Sequence, residues 1–259
     1  MYLTYILERS FNIKADRQQK ILEILEEEGK VYTQQLSILL SVSEDTIRRD
    51  FKEMDEKKLL KRVHSGAIRI GPPITNFQHR ININKEEKQL LASKALALLK
   101  PNTTIIIDGG TTNLEFAKKI PLDFPGIIIT NSPHIAIELE SHENIDVFLL
   151  GGDLYKSSMI SLGIDIINSL DTIRADMYIM GIHNIDIDDG ITIDTRNEAL
   201  VKKKMSEVSA EIIGIVTKNK IGTISNYIIG PANLLTYLVC DNLPEKIKTK
   251  LINKDIKLI

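Results

Sequence analysis

The chain has 259 residues, which is long for one simple domain and sufficient for a small domain plus a medium-sized one. Hydrophobic residues make up 43% and charged residues 26%, a composition that excludes intrinsic disorder. No apolar run approaches the roughly 20 residues that a membrane-spanning helix requires, so no membrane protein is expected. The net charge of −2 argues against a bulk polyanion binder, although an average of this kind hides local asymmetry.

The cysteine content and the first residues of the chain indicate the cellular compartment of the protein. The single cysteine, Cys240, lies in an apolar run and is expected in the core. One cysteine cannot form an internal disulfide, which fits a reducing compartment. The first ten residues contain Glu8, lack a basic start and lead to no small-residue cleavage site, so no secretory signal is expected. The sequence therefore predicts a cytoplasmic protein.

Two zones with different patterns divide the chain. Residues 14–70 are rich in charge and helical periodicity, whereas short apolar strands alternate with helical patterns over residues 85–259. Between them, residues 71–84 begin with Gly71 and the Pro72-Pro73 pair, which interrupt periodicity and predict a linker. Residues 1–13 have no assigned role.

The first zone begins with two predicted helices. Residues 17–28 carry Ile21, Ile24 and Leu25 at spacings of three and four, which predicts an amphipathic helix that Gly29 ends. Thr33 then opens a second, shorter helix. Its predicted apolar face consists of Leu36, Leu39 and Leu40.

A third helix follows a typical capping residue. Ser43 is the predicted N-cap. The acids Glu44 and Asp45 lie in the first turn, where the positive end of the helix dipole favours negative charge. A buried stripe is predicted at Ile47, Phe51 and Met54. The opposite face then carries Thr46, Arg48, Arg49 and Lys52.

The solvent face of this third helix indicates nucleic-acid binding. Between Thr46 and Arg69, eight basic residues against four acidic ones give +4 in a chain whose total is −2. Two helices joined by a tight turn, the second with exposed arginines, form the geometry that docks in a DNA major groove. The alternative is a solvated helix whose charges only maintain solubility. The predicted DNA-contacting residues are Thr33, Ser43, Thr46, Arg48, Arg49, Lys52, Lys61, Arg62 and His64.

The second zone repeats a junction of strand, polar turn and helix. Strand residues 104–107 run into Asp108–Asn113, where two glycines and two threonines precede a helix. Backbone amides and hydroxyls in such a turn favour an anion. Similar turns follow at Asn131, at Gly151–Asp153 and at Gly181. Because ligands of parallel sheets bind outside the carboxyl ends of the strands, these loops predict one ligand site.

These residues carry a family resemblance. The stretch from Val31 to Ala67, and above all Val42–Asp50 with its Val-Ser-x-x-Thr-Ile-Arg-Arg-Asp pattern, resembles the DNA-binding signature of DeoR-type bacterial repressors. The resemblance implies an α/β protein: an N-terminal winged helix-turn-helix (about 31–50 within 14–70) and a C-terminal α/β sensor domain (85–259) similar to ribose-phosphate isomerases. The departures are Ser65, where the family's wing has glycine; Asn113, at the end of the phosphate loop; Thr217, where a late loop has an acid; and His183-Asn184, where small residues are usual.

The resemblance also implies an effector, a phosphorylated sugar or related metabolite. Asp108–Asn113 matches the family's phosphate loop, Gly151 and Gly152 match its second glycine loop, and Lys220 matches a lysine of the late loop. The expected effector-binding residues are Asp108, Gly109, Gly110, Thr111, Thr112, Asn113, Asn131, Gly151, Gly152, Asp153, Glu198 and Lys220.

Other signals are interpreted as structural. Residues 185–194 resemble a calcium loop but predict a β-hairpin, since the spacing does not match an EF-hand. The five histidines lack the spacing of a zinc site, and neither a metal nor a cofactor is expected. Lys202–Lys204 are expected on a solvated helix face.

The preferred interpretation is a regulator that binds double-stranded operator DNA as a homodimer or homotetramer, assembled through the sensor domain, and is released by its effector. One alternative is a sugar-phosphate isomerase in which Asp108, Asp153 and Glu198 supply carboxylates. Another is a constitutive DNA-binding protein with a decayed sensor, which the departure at Thr217 motivates.

Overall fold

The computed structural model describes residues 13–72 and 75–259, and the chain forms two compact units. The first unit ends at Gly71 and includes Gly222–Ser225; the second comprises Pro72–Ile221 and Asn226–Ile259. Within the described residues, no helix combines the length and hydropathy needed to cross a membrane.

The first unit contains three helices and a small sheet. Its elements are α1 (Lys14–Glu28), β1 (Lys30–Tyr32), α2 (Thr33–Leu39), α3 (Glu44–Glu56), β2 (Lys61–Val63), β3 (Gly66–Ile70) and β13 (Thr223–Ile224). Strand β3 pairs antiparallel with β1 and β2 and parallel with β13. The predicted helices and the wing hairpin are therefore confirmed.

The helix ends follow the predicted signals. Gly29 ends α1 with a φ of 75°, and its amide donates to the carbonyl of Leu25 at 2.8 Å. Leu36 and Leu40 are buried, but Leu39 is exposed, so the prediction for that residue is wrong. Leu39 is the last residue of a helix of only two turns, where the periodicity stops.

The core of the first unit confirms the predicted stripe of α3. Ile47, Phe51 and Met54 are all at most 2% exposed. Periodicity did not indicate the ion pair beside them: Arg17 of α1 donates from Nε to Asp50 Oδ2 at 2.5 Å and from Nη2 to Oδ1 at 3.1 Å. This buried, two-point contact fixes α1 against α3.

The wing turn tolerates its departure from the family pattern. Val63 pairs with Gly66, which leaves His64 and Ser65 as a two-residue loop. Ser65 is not among the residues with positive φ, so a serine fits without strain. Gly66, in contrast, has no room for a side chain, because a Cβ there would lie 1.9 Å from the carbonyl oxygen of Val31.

The second unit is an α/β domain. Its first half contains α4 (Phe77–Asn82), α5 (Lys85–Leu96), β4 (Thr103–Ile107), α6 (Thr111–Ala117), β5 (Gly126–Thr130), α7 (Pro133–Glu138), β6 (Ile145–Leu149), β7 (Asp153–Tyr155), β8 (Ile160–Leu162) and α8 (Ile164–Leu170). Its second half contains β9 (Ala175–Gly181), β10 (Asn184–Asp186), β11 (Gly190–Ile193), α9 (Arg196–Glu207), β12 (Ser209–Ile215), β14 (Tyr227–Gly230), β15 (Tyr237–Val239), α10 (Glu245–Ile252) and β16 (Lys257–Leu258).

A seven-stranded parallel sheet in the order β16-β15-β12-β9-β4-β5-β6 organises this unit. Alternate residues of the central strands enter different core clusters: Ile106 and Tyr178 belong to one cluster, Ile105 and Met177 to the other. Strands covered on both faces explain the continuous apolar runs in the sequence. The predicted parallel α/β architecture is confirmed.

The acidic stretch at residues 185–194 forms the predicted β-hairpin. Strands β10 and β11 pair antiparallel, and Gly190 has a φ of 95°. Asp186 accepts from the amides of Asp188 and Asp189, both at 2.9 Å, so its carboxylate stabilises the turn. Cys240 is buried as expected, and burial raises the pKa of its thiol to about 12.

The predicted linker is wrong in part, because residues 71–84 contain helix α4. Asn76 caps this helix by accepting from the amide of His79 at 2.8 Å. Phe77 is buried and stacks on His134, with ring centroids 4.6 Å apart. The proline pair indicates a break in periodicity, but the apolar residues just after it belong to a helix.

Candidate functional site

Helix α3 presents the predicted basic face to solvent. Ser43 caps the helix and accepts from the Thr46 amide at 3.2 Å, as predicted. The two hydroxyls lie 2.9 Å apart. Arg48, Arg49 and Lys52 are all exposed, so their side chains are available to a groove of DNA.

The two arginines of α3 are held by acids of the preceding turn. Arg48 Nη2 lies 2.7 Å from Glu44 Oε2, and Arg49 Nη2 lies 2.8 Å from Asp45 Oδ2. Exposed pairs of this kind contribute about 0–1 kcal/mol, so phosphates or base edges can replace the acids at little cost.

The wing supplies further polar groups, and one expected contact is corrected. Arg62 and His64 are exposed, and Lys61 lies 3.8 Å from Asp55. Thr33 is only 7% exposed, because it begins α2 and packs into the core of its unit. A side chain buried in this way does not reach DNA.

A cavity of about 220 Å³ lies at the carboxyl ends of the central strands of the second unit. Loops after β4, β9 and β12 form one wall, and residues of α4, α5 and α9 form the other. The volume exceeds that of a single water site and suits a small organic ligand. The lining includes Thr75, His79, Arg80, Asn84, Lys88, Gly109, Gly110, Thr111, Thr112, Asn113, Ser158, Gly181, His183, Glu198, Lys202, Thr217, Asn219 and Lys220.

Seven of the predicted effector residues line this cavity. They are Gly109, Gly110, Thr111, Thr112, Asn113, Glu198 and Lys220. The loop after β4 is therefore placed as the sequence predicted, at the beginning of α6. Asp108, Asn131, Gly151, Gly152 and Asp153 are not among the lining residues.

Asp108 is buried behind the cavity lining and holds the neighbouring residues by hydrogen bonds. Its carboxylate accepts from Tyr178 Oη, from Lys202 Nζ, from the Gly181 amide at 2.6 Å and from Asn113 Nδ2 at 2.9 Å. At 1% exposure it has no surface to offer a ligand. Its expected role as an effector contact is corrected to one of positioning the loops.

The other non-lining residues have similar explanations. Asn131 accepts from the Gly109 amide at 3.2 Å and donates to the Ser161 carbonyl at 3.1 Å, so it ties two loops together. Gly151–Asp153 are exposed and follow β6, the edge strand of the sheet. Two strand spacings, roughly 10 Å, separate β6 from β4, which removes this loop from the cavity.

Three cations of the cavity were missed by sequence reasoning. Arg80 belongs to α4, inside the predicted linker, and Lys88 to α5. Lys202 was expected on a solvated face but is 5% exposed and paired with Asp108. The available signal was its position four residues after Glu198, which places both on one face of α9. Lys203 is exposed as predicted.

The late loop keeps polar chemistry despite its departure from the family. Thr217 donates from Oγ1 to Asn219 Oδ1 at 2.7 Å. Lys220 donates from Nζ to the Ile182 carbonyl at 2.7 Å. All three polar side chains line the cavity.

The electrostatics of the cavity favour an anion. Four cationic side chains stand in its described lining against one lining carboxylate, Glu198, and one of the four, Lys202, is paired with the buried Asp108. Burial, reinforced by Arg80, lowers the pKa of Lys88 to about 8. Burial, with the charges of Lys88, Arg80 and Lys202, lowers the pKa of Lys220 to about 7. Burial also lowers the pKa of Arg80.

Two buried atoms of lining residues have no hydrogen-bond partner in the described structure. They are Arg80 Nε, a donor, and Asn113 Oδ1, an acceptor. Arg80 Nη2 is already occupied by the Ser157 carbonyl at 3.0 Å, and Asn113 Nδ2 by Asp108 and Ile179. Buried polar groups are normally paired, so these two atoms are exceptions beside the cavity.

A winged helix-turn-helix unit combined with an α/β unit that contains a polar cavity defines a ligand-sensing DNA-binding regulator. Comparison with known families agrees. Residues 17–72 match the DeoR-like helix-turn-helix domain, and residues 83–242 match the DeoR C-terminal sensor domain. The chain belongs to the DeoR family of transcriptional regulators.

Curated relatives cover nearly the whole chain. It is 33% identical to the HTH-type transcriptional regulator GolR of Listeria innocua, over 88% of this chain and 90% of the relative. It is 30% identical to the HTH-type transcriptional repressor GlcR of Bacillus subtilis, over 93% of each. Among solved structures, ribose 5-phosphate isomerase A of Methanocaldococcus jannaschii has a TM-score of 0.39 and 15% identity, over 53% of this chain and 55% of that chain.

Proposed function

We propose that this protein is a cytoplasmic repressor of a carbohydrate operon that a phosphorylated sugar or related metabolite releases from operator DNA. The observation that carries the effector assignment is the cavity with four cations and one carboxylate. DNA binding is assigned to α3 and the wing of the first unit. One such module gives limited specificity, so a homodimer or homotetramer is part of the proposal.

The phosphate group is proposed to bind among Arg80, Lys88 and Lys220. Guanidinium and ammonium groups are the usual partners of phosphate, and Arg80 Nε is a buried donor without a protein acceptor. Burial, and after it the charges of neighbouring cations, lowers the pKa of both lysines, and an anion at this place would favour their charged forms. The neighbouring hydroxyls of Thr111 and Thr112 add donors.

The sugar part is proposed to bind beside Asn113 and Glu198. Asn113 Oδ1 is an acceptor without a protein donor. Glu198 accepts from Thr195 Oγ1 at 2.9 Å and lines the cavity. Acceptors of this type bind the hydroxyl groups of a sugar, which inorganic phosphate lacks.

We propose that the cavity does not catalyse isomerisation. Of the carboxylates considered for that reaction, Asp108 is saturated by donors and buried, and Asp153 is exposed outside the cavity. Of these three carboxylates only Glu198 lines the cavity, so the carboxylate pair that the isomerase alternative requires is not assembled there. A nuclear magnetic resonance assay of sugar phosphates with stoichiometric protein should show no interconversion; turnover would contradict the proposal.

Repression is supported by one of the relatives. GlcR of Bacillus subtilis is named a transcriptional repressor, and it aligns with both units of this chain. The sign of regulation is tested by a reporter fused to the operator region. Higher expression after deletion of the gene supports repression, and lower expression contradicts it.

The decisive experiment is fluorescence anisotropy on DNA from upstream of the chain's own coding region, at fixed salt, with a panel of sugar phosphates. Tight binding that one phosphate reverses, and its unphosphorylated sugar does not, is the expected result. A coupling of about 1–3 kcal/mol, or 5- to 150-fold in DNA affinity, is typical of such linkage. Binding that every phosphate leaves unchanged would contradict the assigned effector class.

Two variants separate specific DNA recognition from charge. Arg48→Ala should weaken operator binding by about 1–3 kcal/mol and relax discrimination between sequences. Lys20→Ala is the matched control, since it removes one exposed positive charge of the same unit from α1. Equal effects of the two variants would refute the placement of α3 in the groove.

The effector site has its own variant. Thr111→Ala should weaken the response to the sugar phosphate and leave DNA affinity without effector unchanged, since Thr111 lines the cavity. Loss of DNA binding in the absence of effector would instead assign a structural role to the loop.

A further inference from the structure

We propose that a second copy of this chain binds the outer edge of strand β6, so that two seven-stranded sheets join into one through antiparallel β6 strands. This inference rests on the homo-oligomer proposed above and names its surface. It concerns the second unit alone.

Strand β6 is an edge that nothing described covers. It pairs in parallel with β5 on one side, and no strand of residues 13–72 or 75–259 pairs with its other side. The opposite edge of the sheet is protected differently, because β16 has only two residues and one of them is Lys257. Short length and lysine are the usual devices that prevent edge pairing, and β6 has neither.

The backbone of β6 directs alternate residues outward. The Asn144 carbonyl accepts from Gly126 at 3.1 Å and the Leu150 amide donates to Thr130 at 2.8 Å, so even-numbered residues face β5. Ile145, Val147 and Leu149 therefore direct their backbone groups to the free edge. The amide of Ile145 is already used, since it donates to the His142 carbonyl at 3.2 Å.

The side chains around this edge are apolar and exposed. Val147 is 37% exposed, Phe148 52% and Leu149 45%, on alternating faces of the strand. Ile137 of the neighbouring helix α7 is 68% exposed and continues the patch on one face. Contiguous apolar surface of this kind marks an interface.

An antiparallel pair of β6 strands is self-complementary. With Val147 opposite Val147 of the second copy, Ile145 faces Leu149 and Asp146 faces Phe148. The Val147 amides then donate to the Val147 carbonyls across the axis, and the Leu149 amides to the Ile145 carbonyls. The pairing uses every outward amide left free along the strand and brings no two Asp146 carboxylates opposite each other.

These features select a second copy over an unrelated partner. The pattern satisfies itself under a twofold axis, which is the property of an isologous interface. A helix-turn-helix regulator also requires two modules to read two half-sites. An antiparallel β6–β6 contact satisfies the twofold symmetry and also brings two DNA-binding modules into one assembly.

Sedimentation velocity on the full chain tests the proposal, with two variants at Val147. Val147→Lys places a charge at the twofold axis. Val147→Pro removes an amide that faces away from β5, and proline is tolerated on an edge strand when its missing donor faces solvent. Ile252→Lys, at an exposed position on α10, is the matched control.

The wild-type protein and Ile252→Lys should form the same oligomer, and both Val147 variants should have half its mass. Circular dichroism should show the same helix content and cooperative thermal unfolding in all four proteins. Variants that fold and keep the wild-type mass would overturn the β6 surface while leaving the homo-oligomer intact. A wild-type protein that is monomeric at every concentration would overturn both.

Discussion

Raising the pH above 7 should weaken effector binding, because two lysines of the cavity must be charged to hold an anion. In the free protein, burial and neighbouring cations lower the pKa of Lys220 to about 7 and that of Lys88 to about 8. A bound phosphate favours the charged form and raises both pKa values. Above pH 7 the protein therefore takes up protons when the effector binds, and the affinity falls as the pH rises.

The size of the effect follows from proton linkage. If the bound effector returns the pKa of Lys220 to between about 9 and 10.4, its affinity falls about 25- to 50-fold from pH 7 to pH 9. Lys88 adds to the fall above pH 8. The phosphate itself is dianionic throughout this range, since its second pKa is about 6.

Isothermal titration calorimetry in two buffers of different ionisation enthalpy measures both the affinity and the number of protons taken up. Near pH 8, Lys220 should contribute almost one proton and Lys88 a further fraction, so the total uptake should be about one proton or slightly more. Lys220→Met should bind more weakly and lose the pH dependence between 7 and 8. Lys218→Met, which removes an exposed charge from the same short segment, should behave as wild type.

An affinity that varies less than twofold between pH 7 and 9, with no proton uptake, would refute this reasoning. The same conclusion would follow if Lys220→Met kept the wild-type slope. In either case the anion would not bind beside these lysines.

Three further predictions concern stability and the shape of the cavity. Arg17→Met should lower the free energy of unfolding of the first unit by about 3–5 kcal/mol in urea titrations, because it leaves the buried Asp50 carboxylate without its cationic partner. Phe77→Ala should destabilise the second unit by about 3–5 kcal/mol if α4 is part of its core, whereas a linker residue would show almost no change. Gly109→Ala should abolish the effector response and cost about 1–3 kcal/mol, since its Cβ would lie 2.0 Å from Ile160 Cγ2; an unaltered response would show that the loop shifts freely.

Local signals were sufficient for much of the molecule. The cap at Ser43, the stripe at Ile47, Phe51 and Met54, and the glycine that ends α1 all depend on neighbours within one or two helical turns. The strand and glycine turn around Asp108–Asn113 are equally local. The family signature at Val42–Asp50 is a contiguous motif, so the sequence alone also placed the DNA-binding module.

The composition of the cavity depended on contacts between distant residues. Asp108 ceased to be a ligand candidate because Tyr178 and Lys202, 70 and 94 residues later, donate to it. Whether Gly151–Asp153 reach the cavity was decided by strand order, since β6 lies at the edge of the sheet.

The sequence by itself determined the class of protein, the two kinds of unit and the loop that borders the cavity. The tertiary structure decided which charges surround that loop. Arg80 and Lys88 enter the cavity only because α4 and α5 pack beside the carboxyl ends of the strands, and Lys202 only because its helix buries the face that bears it. Helix and strand signals are encoded within a few residues, whereas a binding site is assembled from segments whose meeting depends on the packing of the whole unit.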